Sequence, residues 1–138
     1  MAVRVGERSQ GDLTVIVKAK DHAAYTLDVT ANEKNFPKRH RFSTANKLQE
    51  KAFEILDCLI EANEFYPKTP EELNHRRFLQ RKAMAGCRSM LIMIDVCSQR
   101  FGIKMTTIAF WTRQLWDIRN LTAAWLHKDE TRFKNLMQ

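Results

Sequence analysis

Between Lys68 and Gln99, apolar residues recur at Leu79, Ala83, Cys87, Met90, Ile94 and Cys97, in steps of three and four. At about 100° per residue that spacing keeps to one side of a helix, whereas a strand repeats every two residues. A helix of this length must lay its apolar seam against other elements, so the core has to be helical and layered. Glycine and proline number only 4 and 3 in 138 residues, which suits long helices joined by few breaks.

The remaining segments follow the same pattern. Lys68-Thr69-Pro70-Glu71-Glu72 reads as a loop entering this helix, with Thr69 as cap, Pro70 in the first position and two carboxylates at its positive end. Phe101-Gly102 closes it, with Gly102 expected as the C-terminal cap. Upstream, Ala45, Leu48, Ala52, Ile55, Leu56 and Leu59 form a seam whose opposite face holds Glu50, Glu54, Asp57, Glu61 and Glu64. Ser43 or Thr44 is the expected cap of that helix, and Pro67 stops it. Downstream, Ile108, Trp111, Leu115, Ile118, Thr122 and Trp125 define a further helix, opened by Thr106 or Thr107 and running to about Lys128.

The first helix is less plain. LTVIVK alone suits a strand, because it is rich in β-branched residues. Two features favour a helix: the spacing continues through Ala19, Ala23, Thr26 and Thr30, and no second strand is present to pair with it. Asp12 is the expected cap, and Phe36-Pro37 the stop. The expected organisation is a mobile tail over 1–12, an all-α antiparallel four-helix bundle over 13–128, and a short basic tail over 129–138.

The net charge of +7 points to an acidic partner, nucleic acid first and a membrane surface second. The charge is sorted by element. Ser43 to Tyr66 carries two lysines against five carboxylates, so the positive excess is concentrated elsewhere. Lys38, Arg39 and Arg41 cluster at the corner after the first helix, and Arg113 and Arg119 lie on the last one. Arg77, Arg81 and Arg88 form a row opposite the apolar seam of their helix. A row of guanidinium forks has two readings: ion pairs with the acidic row, or a site for phosphate or carboxylate. The second is favoured, because the basic excess outlasts all five carboxylates. Met84 and Leu91 lie among these arginines, a mixture typical of protein interfaces. Trp116 projects away from the Trp111/Trp125 seam, beside Arg113, Asn120 and His127. It suits an oligomer contact, and second to that the stacking of an unpaired base.

Catalytic chemistry has little support. His22, His40, His75 and His127 are scattered without paired spacing, and no glycine-rich phosphate loop or G-x-S-x-G is present. The three cysteines, Cys58, Cys87 and Cys97, form no C-x-x-C, and Cys87 and Cys97 fall on the apolar side of their helix, as reduced packing residues do. The acidic row lacks an accompanying E-x-x-H, so it reads as a solvated face. No cofactor or metal is expected. No apolar run approaches the roughly 18 residues of a membrane helix, and nothing at the start indicates export, so a cytoplasmic protein is expected.

LTVIVKAKDHAAY, the break NFPKRHRF, the helix KLQEKAFEILDCLIEANEFY and the closing WDIRNLTAAWL together resemble the four-helix-bundle accessory proteins of diversity-generating retroelements, the accessory variability determinants. The resemblance spans roughly Leu13 to Lys128. Its most specific parts are Pro37, Lys38, Arg41 and Phe42, the Ala62-Asn63 pair, and Ala124 to Leu126. Where relatives often place a glycine before the last tryptophan, this chain has Ala123-Ala124. The resemblance implies a non-catalytic, ring-like homo-oligomer, a pentamer, that binds a reverse transcriptase and its template RNA and supports mutagenic cDNA synthesis. It assigns polyanion or partner contacts to Lys38, Arg39, Arg41, Arg77, Arg81, Arg88, Arg113 and Arg119. The bundle proteins encoded by intervening sequences of ribosomal RNA are the alternative family, and a pure protein-interaction module the alternative class.

Overall fold

The computed structural model describes residues 10–137. Four long helices dominate: α1 (Gln10–Ala31), α2 (Asn46–Glu64), α3 (Pro70–Arg100) and α4 (Met105–Arg132). No strand occurs among the described residues. Each helix packs against two others, α1 and α3 both lying between α2 and α4.

The β-branched run of α1 is helical because its burial is one-sided. Val15, Ala19, His22, Ala23, Thr26, Val29 and Thr30 are buried, a three-and-four spacing that a strand cannot satisfy. The helix already runs at Gln10, so Asp12 lies within it and is not its cap. The expected tail over 1–12 is therefore cut short at its inner end, and residues 1–9 lie outside the described region. α1 also stops at Ala31, before the proline. The backbone N–H of both Asn35 and Phe36 turns back to the Asn32 carbonyl at 2.9 Å, and Phe36 becomes a buried plug against Phe101 and Trp111.

The corner into α2 is built differently from a capped start. A short 3₁₀ turn (Lys38–His40) runs into a π turn (Arg41–Ala45), and α2 begins without a side-chain cap. Ser43 and Thr44 lie inside that π turn with their hydroxyls 3.3 Å apart, so neither caps the helix. Core packing through Leu48, Ala52, Ile55 and Leu59 fixes the start of α2 in place of a cap.

α3 starts as its sequence requires. The Glu72 N–H donates to the Thr69 hydroxyl at 3.1 Å, and the Thr69 N–H donates to Glu72 Oε1 at 3.2 Å, a reciprocal capping box. Gly86 faces α2 so closely that an added Cβ would lie 2.8 Å from Ile55 Cγ1. The end of α3 departs from expectation. Phe101 leaves the helix in extended backbone, and Gly102 adopts no left-handed conformation.

α4 opens at Met105 without a side-chain cap, so neither Thr106 nor Thr107 starts it. It also passes the expected stop at Lys128 and continues to Arg132, followed by a 3₁₀ turn at Lys134–Leu136. The stretch expected as a basic tail, 129–138, is thus largely folded. Asp129 and Phe133 are both buried in it.

Candidate nucleic-acid and partner interface

The basic residues divide by what their neighbours leave them. Arg77 is the exception in its row. Its side chain is only 17% exposed, with Nη2 3.5 Å from Glu130 of α4 and Nη1 3.7 Å from the Met137 sulfur. It is a strut between α3 and the end of α4, and it does not stand outward. Arg81 and Arg88 are exposed and make no ion pair among the described residues.

Burial pushes the Cys87 thiol up to about 12, and the opposing influence comes from Arg119. The Arg119 guanidinium lies 5.8 Å from the Trp116 ring, which is 43% exposed. Arg81 and Arg88 on α3 and Arg119 on α4 make no ion pair among the described residues; Met84 and Leu91 are half-buried, and Trp116 is exposed. A cation over an aromatic face in such a setting contributes roughly 0.5–1 kcal/mol.

The other basic positions have different surroundings. Arg113 lines a separate small cleft between α1 and α4, beside the Lys18–Asp117 ion pair of 3.8 Å. Lys38 is held by Glu33 at 3.5 Å, the Arg39 Nε–H donates to His40 Nε2 at 3.2 Å, and Arg41 is exposed on the π turn. The acidic row of α2 stands exposed. Among the described residues its one ion pair is Glu54 with Lys51 at 3.6 Å, and none of the α3 arginines reaches it.

Two groups of polar residues escaped the pattern reading. Arg76 is buried, and its Nε and Nη2 donate to Asp129 Oδ2 and Oδ1 at 2.8 and 3.1 Å. Gln80 Nε2 adds a bond to the same carboxylate at 3.0 Å, and Arg76 Nη1 donates to the Phe65 carbonyl at 3.3 Å. The Trp125 and Phe133 rings flank the guanidinium at 4.9 and 5.4 Å. The signal was present: Arg76 and Asp129 each fall on the apolar seam of their helix, where a charge is tolerated only with a partner. The second group centres on Thr26, whose hydroxyl donates to the His22 carbonyl at 2.8 Å and accepts the Trp111 indole N–H at 2.9 Å. His22 is buried beside it, and desolvation lowers its imidazole to about 4.

The cysteines are all free and buried, and desolvation raises each thiol above its ordinary range. Such thiols carry little thiolate and are poor nucleophiles. Among the described residues no three His, Cys, Asp or Glu side chains converge as a metal site would need, and no helix is long and apolar enough to cross a membrane. Comparison with protein-family models, with curated proteins and with solved structures returns no match.

Proposed function

We propose that this chain is a non-catalytic adaptor that binds RNA through arginines of α3 and α4. The observation that carries the reading is the set of guanidinium groups of Arg81, Arg88 and Arg119 without an ion pair among the described residues, the last of them beside the exposed Trp116 indole. Guanidinium forks take phosphates bidentately, and an exposed aromatic ring gives an unpaired base a stacking surface. The lack of an ion pair among the described residues matters, because a fork already engaged has little left for a phosphate.

In the fuller form implied by the sequence resemblance, the helices form an antiparallel bundle that assembles as a ring-like homopentamer in the cytoplasm. Met84, Leu91 and Trp116 then serve contact between copies. The partners are a reverse transcriptase and its template RNA. That form predicts a sedimentation mass near five times the 16.2 kDa chain. A monomer mass at working concentration contradicts the ring.

RNA binding is tested with the triple variant Arg81→Ala, Arg88→Ala, Arg119→Ala. Its affinity for single-stranded RNA should fall by roughly a hundredfold at low salt, if each lost phosphate contact costs about 1 kcal/mol. Unchanged affinity with unchanged helicity would remove these arginines as the site. A pure protein-interaction module is the second reading, favoured by exposed Leu27, Phe53 and Ile60 on α1 and α2. It predicts a stoichiometric polymerase complex that forms without RNA.

A further inference from the structure

Where the ends of α1 and α3 meet the turn into α2, the surface sinks into a cleft of about 550 Å³. Lys34, Arg39, His40 and Arg100 line it, Pro37 and Phe101 supply apolar wall, and no lining residue is acidic. Its volume lies within the range of small-molecule sites. Of the carboxylates on the adjoining segments, Glu33 holds Lys38 at 3.5 Å, and Asp95 accepts from Gln99, a lining residue, at 3.4 Å.

The cations are arranged unevenly. Arg39 spends only its Nε–H, on His40 Nε2 at 3.2 Å, which leaves both terminal nitrogens for a ligand. The His40 ring lies 5.0 Å from the Phe101 ring at a tilt of 43°, and the buried Phe36 braces Phe101 edge-on at 5.4 Å. The aromatic wall is therefore held from behind. A small inorganic anion would make no use of that wall, and a hydrocarbon would make no use of the cations. A ligand that uses both carries a phosphate and a flat ring.

We propose that this cleft binds the phosphate monoester of a nucleotide, with Arg39 and Arg100 on the phosphate and the base against the Phe101–His40 wall. Two sources share this chemistry: a free nucleoside monophosphate, or the 5′-phosphorylated end of an RNA strand. Only the second rests on the RNA-binding reading above.

The test titrates the full chain with AMP, adenosine and inorganic phosphate, and with one short oligoadenylate carrying either a 5′-phosphate or a 5′-hydroxyl. AMP should bind at least about tenfold tighter than adenosine or phosphate, the effect of one good charge-assisted contact. If strand ends are the source, the 5′-phosphorylated RNA should show the same margin over the hydroxyl form. Arg39→Ala and Arg100→Ala, both at exposed positions, should erase these margins while helicity stays intact. A margin for AMP alone assigns the cleft to free nucleotide. AMP bound with no RNA affinity at all sinks the RNA reading and keeps the cleft. No margin for either ligand, or margins that survive both substitutions, overturns the proposal, whatever the overall RNA affinity.

Discussion

Arg76 and Arg81 are five residues apart on one helix and live in opposite worlds. Arg76 is sealed with three donor contacts, two of them to Asp129, between two aromatic walls, while Arg81 stands in solvent with no ion pair among the described residues. Helix phase makes the difference. Arg76 falls on the seam that also holds Leu79 and Ala83, and Arg81 falls about half a turn away. The same guanidinium is a structural bolt in one phase and a solvent-exposed cation in the other. Arg77, beside Arg76 in sequence, is intermediate: it is half-buried and is held by Glu130 of α4.

The contrast breaks first at its buried end. Asp129→Ala leaves the Arg76 guanidinium without its carboxylate, and loss of one partner of a buried pair costs about 3–5 kcal/mol. Chemical denaturation should show that loss. Replacing both together, Arg76→Met with Asp129→Leu, should recover most of it, since the penalty comes from the stranded charge. A cost below 1 kcal/mol for the single change would show that the network is ornamental.

A second buried group sharpens the comparison through pH. His22 has its pKa lowered from 6.5 to about 4 by desolvation, so protonation favours the unfolded chain. Its contribution is complete above pH 6.5 and is lost as pH falls from 6.5 towards 4, amounting to up to about 3 kcal/mol. His22→Leu should flatten that part of the stability profile. An acid limb of the same slope in the variant would place the titration elsewhere.

The smallest stability effect belongs to the exposed end. Arg81→Ala and Arg88→Ala should each move stability by no more than about 0.5 kcal/mol, as surface substitutions do. A larger loss by denaturation would mean that these side chains hold the fold together, and the contrast with Arg76 would collapse.

How much of this was legible depended on whether the signal was local. The seam of α3 and its Thr69 cap could be read directly, because spacing and capping chemistry sit within a few residues. Helix ends set by packing could not: α2 and α4 start without side-chain caps, and α4 runs on because Asp129 and Phe133 are drawn into the core. The pairing of Arg76 with Asp129 spans fifty-three residues, so neither position's neighbours in sequence point to the other. The cleft is equally non-local, since Lys34, Arg39 and Arg100 come from separate elements and meet only in the folded chain. For the arginine row, a wheel drawn for one helix separates core from surface, yet it could not show that Glu130 would claim Arg77.

The central claim is that the guanidinium groups of Arg81, Arg88 and Arg119 are open to a polyanion. The most direct measurement is the slope of log affinity against log salt concentration for single-stranded RNA, compared between the native chain and the Arg81, Arg88, Arg119 alanine variant. Each neutralised phosphate contributes about 0.7 to that slope, so the variant's slope should be shallower by about two units. Equal slopes, with RNA still bound, would mean that those side chains touch no phosphate and would contradict the account.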